Sequence, residues 1–403
     1  MTDADSANAL MRSWLILLGL ALGVCVTNSF ARFAYGLILP AMQTDLGWSY
    51  AQAGWLNTAN AIGYIVGALT TIWLIRLLAP WRLFLVGFVA TTLSLIATGL
   101  ETGLIWQSTW RIAAGLFGAL SFSTAGLLAA QLFPQDPRRA ALAVALLFGL
   151  GGGFGLALGG ASVPLMLDRF GSAAWPWAWV IIGGMSLSFL PVCFWAARAL
   201  RSPPPDQKAR VPLPLRTMWA ELAGYGMFGL GYIVYLTFIS AWMTAQNASA
   251  LLVAGVWITL GICTSVAPFV WGRVFARHAS GRPLSLVLCT IALGSALPVL
   301  MPNAVGLVAS AIIFGLSVFM APGAITSFTR QNLPAASWGQ SISVFTAIFA
   351  VAQSLSPIAA GWLGDISGDI GFSLLAASTV LLTGAGFAAF QKPLQSPKLE
   401  NGM

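Results

Sequence analysis

Polar residues in this chain fall in short interruptions between apolar runs about as long as a bilayer is thick, and that spacing constrains the fold more than any other feature. A run of roughly 20 apolar residues reads as a helix across hydrocarbon, where the backbone finds partners only within a helix or a closed barrel. Apolar windows set against charged or Pro/Gly-rich breaks give twelve such runs: 13–42, 50–75, 82–100, 103–132, 139–167, 174–197, 217–244, 248–272, 283–301, 303–329, 339–363 and 370–390. Two of them meet at Met301, Pro302 and Asn303, where a break is kept because merging them gives one impossibly long helix. A water-soluble chain carries about a quarter charged residues. This one has 7% charged and 58% hydrophobic residues, so its 403 positions hold twelve spans and little else. The expected class is an all-α integral membrane protein with twelve transmembrane helices.

The net charge of +8 would suggest nucleic acid in a soluble protein, but the distribution of charge says otherwise. An even number of spans puts both termini on one side. With the termini inside, sixteen of the nineteen basic residues are cytoplasmic, from Arg12, Arg76 and Arg82 through Arg273 and Arg277 to Lys392 and Lys398. Only Arg169 lies in an outer loop, and Arg32 and Arg111 lie within spans. The excess positive charge is therefore topology, and no nucleic-acid partner is expected. Asp3, Asp5 and a single Arg12 before a long apolar run make a poor cleaved signal and a good first span. The four cysteines, Cys25, Cys193, Cys263 and Cys289, lie in apolar stretches without metal-like spacing, so no metal and no cofactor is expected.

The longest polar segment, Arg198 to Arg216, contains Pro203, Pro204 and Pro205 and separates six spans from six. It divides the chain into an N-terminal bundle (1–197), a Pro-rich basic cytoplasmic linker (198–216) and a C-terminal bundle (217–403). An offset of 200 aligns Gly115 with Gly315, Gln131 with Gln331, Pro134 with Pro334, Arg82 with Arg282 and Tyr35 with Tyr235. Recurrence of a Gln and a Pro just past equivalent spans marks two pseudo-symmetric six-helix bundles related by an axis along the membrane normal.

With these features the chain resembles the major facilitator superfamily along essentially its whole length. Arg111, Gly115 and Gly118 look like the Arg-xxx-Gly-xx-Gly motif of the fourth span, whose Arg the resemblance links to substrate or proton coupling. Gly151, Gly155, Gly159 and Gly160 hold the glycine places of the motif GxxxGPxxGG, associated in the family with exporters, although Leu156 stands where the motif has Pro. The loop motif between spans two and three is degraded, with no Asp beside Arg76. The stretches RFAYGLILPAM (32–42) and YIVYLTFISAWM (232–243) are similar to the YbfB/YjiJ group of bacterial members.

Arg32 is the most informative residue, because an Arg near the middle of a span costs about 2.5 to 3.5 kcal/mol even on the lenient insertion scale. It must face a cavity or a partner. Asn28 and Tyr35, four before and three after it, are expected on the same helical face. Asn57, Asn60 and Tyr64 repeat that spacing in the second span, where helix glue and cavity lining are equally open readings. Gln107 lies four residues before Arg111. Tyr225 and Tyr232 share a face of the seventh span with Glu221, the one carboxylate placed in a span, where it would meet water or Arg216. Gln353, with Phe345 and Phe349, completes the candidate substrate contacts. Arg111 and Glu221 are the coupling candidates, and the four glycines of span five are read as helix-packing or gating positions.

No Walker segment, triad or ligand cluster is present, so the chain is read as a transporter and not an enzyme. The expectation is a monomeric secondary active transporter of the bacterial inner membrane that meets lipid, a small-molecule substrate and a coupling proton or ion. Two buried Arg and no deep carboxylate favour an organic anion. An exporter of amphipathic compounds is the alternative, and a transport-inactive sensor or scaffold ranks below both. The charge asymmetry predicts that a cysteine placed at Gln207 resists an impermeant thiol reagent in intact cells while one at Ser172 reacts. The reverse labelling pattern overturns the orientation.

Overall fold

The computed structural model describes residues 3–201, 213–334 and 337–394. Most of the linker, 202–212, lies outside the described residues. Those described form twelve spans arranged as two six-helix bundles. The first span is one rod of three pieces, Asp3–Val24, Cys25–Phe33 and Ala34–Leu46. Spans two to six are Tyr50–Leu74, Pro80–Thr98, Leu104–Ala129, Pro137–Phe170 and Trp175–Ala199. Spans seven to nine are Trp219–Ala245, Ala250–Arg277 and Arg282–Leu300. The tenth is broken into Ala304–Gly315, Val318–Met320 and Ala321–Asn332, and Trp338–Ser367 and Gly371–Phe390 complete the set. Eleven are long and apolar enough to cross a bilayer by composition alone. The second, 25 residues long, is diluted by Gln52, Asn57 and Asn60.

The break expected at 301–303 is present and has a local cause: the Asn303 side chain accepts from the Gly306 N–H at 2.9 Å and caps the tenth span. Two features depart from simple helices. Pro322 has no N–H to return to the carbonyl of Val318, and the tenth span passes through a short 3₁₀ turn at that point. Cys25–Phe33 is a π-helix, nine residues long and wholly buried. Its wider turn changes the direction of every side chain that follows it.

Lipid supplies no hydrophobic drive between helices, so close packing needs small residues. A Cβ on Gly115 of the fourth span would meet the Asn60 carbonyl of the second at 2.0 Å, and one on Gly36 of the first span would meet the Leu236 carbonyl of the seventh at 2.0 Å. The second contact joins the two bundles. The bundles also meet where the second span packs on the eleventh and the fifth on the eighth, at Gly54 against Pro357 and Gly153 against Gly261. These approaches lie between the middle of the spans and the face opposite the termini, so the bundles are closed together on that face.

One polar contact fastens the closed face. The second span begins with a reciprocal cap in which Ser49 accepts from the Gln52 N–H and Gln52 accepts from the Ser49 N–H. That leaves the first two helical N–H groups, Tyr50 and Ala51, without partners in their own bundle. Both donate to Asp365 at the end of the eleventh span, to Oδ1 at 2.7 Å and Oδ2 at 2.9 Å. A carboxylate from one bundle thus caps a helix of the other. Asp365→Ala is expected to remove about 1 kcal/mol of closure. Spin labels at Gln43 and Thr244 should then show a larger population at long separation, and an unchanged distance distribution would mean that Asp365 fastens nothing.

Candidate functional site

The π-helical piece of the first span brings Arg32 to the seam between the bundles, where it is 6% exposed. Its Nη2 donates to the Tyr232 hydroxyl of the seventh span at 3.0 Å and to Oε1 of Gln353 on the eleventh at 2.5 Å. The Tyr232 hydroxyl donates to the same Gln353 oxygen at 2.8 Å. The guanidinium lies 4.7 Å from the centre of the Tyr64 ring and 5.3 Å from that of Phe33. Two donors thus converge on one amide oxygen, while the Gln353 Nε2 is buried without an acceptor. A carboxylate partner for Arg32 is missing among the described residues, and Arg139 pairs with Asp136 far from it, at the start of the fifth span.

Below Tyr232 the seventh and eleventh spans stack aromatic rings. Phe228 lies 4.6 Å from Tyr232, Phe349 lies 5.5 Å from Tyr232 and 5.4 Å from Phe228, and Tyr225 lies 5.4 Å from Phe349. Each of these pairs is within 30° of parallel. Phe345 meets Tyr225 edge-on at 5.8 Å. On the closed face a vestibule of about 460 Å³ opens between the bundles, lined by polar groups including Gln43, Thr44, Ser49 and Asp365.

The expectation that Tyr35 shares the face of Asn28 and Arg32 is corrected. Arg32 faces the other bundle, whereas Tyr35 turns into its own, donating to the Ala53 carbonyl at 2.7 Å and stacking on Trp179. The π-helix is the reason, because its turn holds more residues than an α-turn and moves Tyr35 out of register. Asn28 is buried within the same segment. Gln107 is also corrected. Its Nε2 donates to the Thr98 carbonyl at 2.7 Å and to the Glu101 carbonyl at 2.5 Å, closing the end of the third span instead of lining a cavity. Glu221 does not meet water or Arg216. It is 1% exposed beside Gly281 and Gln391, and its Oε2 has no partner. Eleven residues of helix place it roughly 16 Å from Tyr232, outside the Arg32 cluster.

Arg111 is fully buried. Its Nη1 donates to the Ala31 carbonyl at 2.7 Å, the residue immediately before Arg32, and its guanidinium lies 5.0 Å from the Tyr35 ring and 5.3 Å from Trp179. Nε and Nη2 have no partner. In the second span Asn60 donates to the Arg111 carbonyl at 3.0 Å, a bond within one bundle, while Asn57 donates across the seam to Thr237 at 2.5 Å. Gly151 and Gly155 make room for Val24 and Ser29 of the first span, Gly159 faces Leu37, and Gly160 receives Trp257 of the eighth. Phe33, Phe228, Thr237 and Trp179 were not among the candidates. The first three carry no signal beyond their nearness in sequence to Arg32 and Tyr232.

Two six-span bundles meeting around a polar cluster near mid-span define the class as a twelve-span membrane transporter. The model of the family described as "Uncharacterised MFS-type transporter YbfB" matches residues 21–389. The chain belongs to that family of the major facilitator superfamily, whose activity is transport of small molecules and not catalysis. It is similar to the inner membrane transport protein YdhP of Escherichia coli (strain K12), with 22% identity over 372 residues, 91% of this chain and 93% of that protein. Among solved structures it is similar to a bacterial homolog of the human lysosomal transporter Spinster in an inward-facing, occupied conformation. That match has a TM-score of 0.71 and 15% identity, covering 96% of this chain and 99% of the other. It is also similar to a mutant of the nucleoside transporter NupG, with a TM-score of 0.68 and 12% identity, covering 93% and 97% of the two chains.

The contact from Arg111 to Ala31 predicts a positioning role. Arg111→Ala removes one hydrogen bond together with an unbalanced charge, so stability should change by no more than about 1 to 2 kcal/mol. Transport should fall far more than the melting temperature of the purified protein, because the backbone that aims Arg32 loses its tether. Unimpaired transport by this variant removes Arg111 from the site.

Proposed function

We propose that this protein moves a small organic anion across the bacterial inner membrane by alternating access, with the termini in the cytoplasm. One observation carries the reading: Arg32 is held at the seam between the bundles by neutral groups alone. Tyr232 and Gln353 orient the guanidinium and leave its charge unbalanced. A buried charge in that state is costly until a counter-charge arrives. Hydrogen-bond capacity supports the same conclusion, since Arg32, the Tyr232 hydroxyl and the Gln353 amide offer more donors than the single oxygen they share can satisfy. A carboxylate brings two acceptor oxygens. One replaces the Gln353 oxygen for Arg32 and Tyr232, and the other takes the Gln353 N–H.

Alternating access follows from the seam. Arg32 reaches two spans of the opposite bundle, so rocking of the bundles changes its partners and its access together. The orientation rests on the basic asymmetry of the loops, and the inner-membrane assignment on the likeness to YdhP. A cationic drug finds no carboxylate beside Arg32, which leaves the amphipath exporter the weaker reading.

Benzoate is the simplest probe. It should raise the melting temperature of the purified protein, Arg32→Lys should bind it several-fold more weakly because an ammonium lacks the planar fork, and Arg32→Ala should lose the effect. Full benzoate stabilisation in Arg32→Ala sinks the anion reading.

A further inference from the structure

The surroundings of Arg32 restrict which anion the site takes, an inference that rests on the anion reading above. We propose that the substrate is a monocarboxylate borne on a flat aromatic ring.

The charge limit comes from the guanidinium count. Arg32 is the cation of the cluster, and the other buried guanidinium, Arg111, is fully enclosed between Tyr35 and Trp179 with its Nη1 on a backbone carbonyl. A second carboxylate on the substrate meets no cation. The body of the substrate is limited by neighbouring polar side chains that are committed to protein partners, although Asn60 Oδ1 and Thr58 Oγ1 of the second span are not. Asn57 is bonded to Thr237, Thr237 to the Ile233 carbonyl, Ser354 to the Ala350 carbonyl and Ser356 to the Leu230 carbonyl. With these side chains taken, a polyhydroxylated body loses its water on entry for few partners in return.

Rings surround what remains. A carboxylate seated on Arg32, Tyr232 and Gln353 has its substituent among Tyr64, Phe33, Tyr232 and Phe349. Tyr232, Phe228, Phe349 and Tyr225 form a near-parallel stack running toward the terminus-bearing face, and Phe349 is its half-buried member. A planar ring extends that stack face to face, whereas a puckered ring of similar size does not. Offset stacking of one ring pair is worth roughly a two- to tenfold gain in affinity beyond area burial.

Titration calorimetry on the purified full-length chain, with phenylacetate, cyclohexylacetate, succinate and gluconate as probes, tests this. Phenylacetate should bind roughly fivefold more tightly than cyclohexylacetate, and both should exceed succinate and gluconate. Phe349→Leu should weaken phenylacetate more than cyclohexylacetate and so erase the difference between them, and Phe349→Tyr should keep it. Equal affinity for phenylacetate and cyclohexylacetate, or binding of succinate or gluconate as tight as that of phenylacetate, overturns the aromatic assignment and leaves the anion reading standing. If none of the four binds, the anion reading itself fails and this inference falls with it.

Discussion

An unbalanced guanidinium at the seam between two helical bundles is the constraint on which the rest of this structure depends. Arg32 has a phenol, an amide and two aromatic faces around it, each from a different part of the chain, and none carries a negative charge. Such a group is tolerated within hydrocarbon only when enclosed by protein. The enclosure needs the first, second, seventh and eleventh spans to converge at one level. The close approach of Gly36 to Leu236, four residues beyond Arg32 and Tyr232, makes that convergence possible. Seam packing and the proposed binding chemistry are therefore one arrangement.

The geometry of the cluster also reflects the internal repeat. Arg32 and Tyr232 are separated by 200 residues, as are Gly36 and Leu236, and each pair is in contact. Residues equivalent under a two-fold relation touch only near the axis. The axis therefore passes beside Arg32, and the divergence of Arg in one bundle from Tyr in the other supplies a donor-rich site where perfect symmetry would oppose two cations.

The sequence reveals the architecture far better than it reveals the aim of individual side chains. Twelve spans, the break at 301–303 and the offset of 200 are all visible, because bilayer thickness imposes a length that apolar runs must match. The same offset separates Arg32 from Tyr232, but their contact is visible only in the folded chain. Tyr35 was misplaced because a helical wheel assumes 100° per residue and nothing in CVTNSFARF announces a π-helix. Gln107 was misplaced because a polar residue near a helix end satisfies stray carbonyls as readily as it lines a cavity. Asp365 is an unremarkable loop acid in sequence, and its role appears only once the eleventh span lies beside the start of the second.

The neutral surroundings of Arg32 have an electrical consequence. On the proposed reading, the loaded cluster is a guanidinium with its carboxylate and carries no net charge, whereas the empty cluster carries one positive charge through the same rearrangement. Moving an elementary charge through the full membrane potential is worth about 2.3 kcal/mol per 100 mV. The voltage therefore acts chiefly on the return of the empty carrier and barely on the step that moves cargo. Arg111, present in both states, adds no difference between them. A transporter built this way takes the sign of its voltage dependence from a residue that the membrane sees only when the site is vacant.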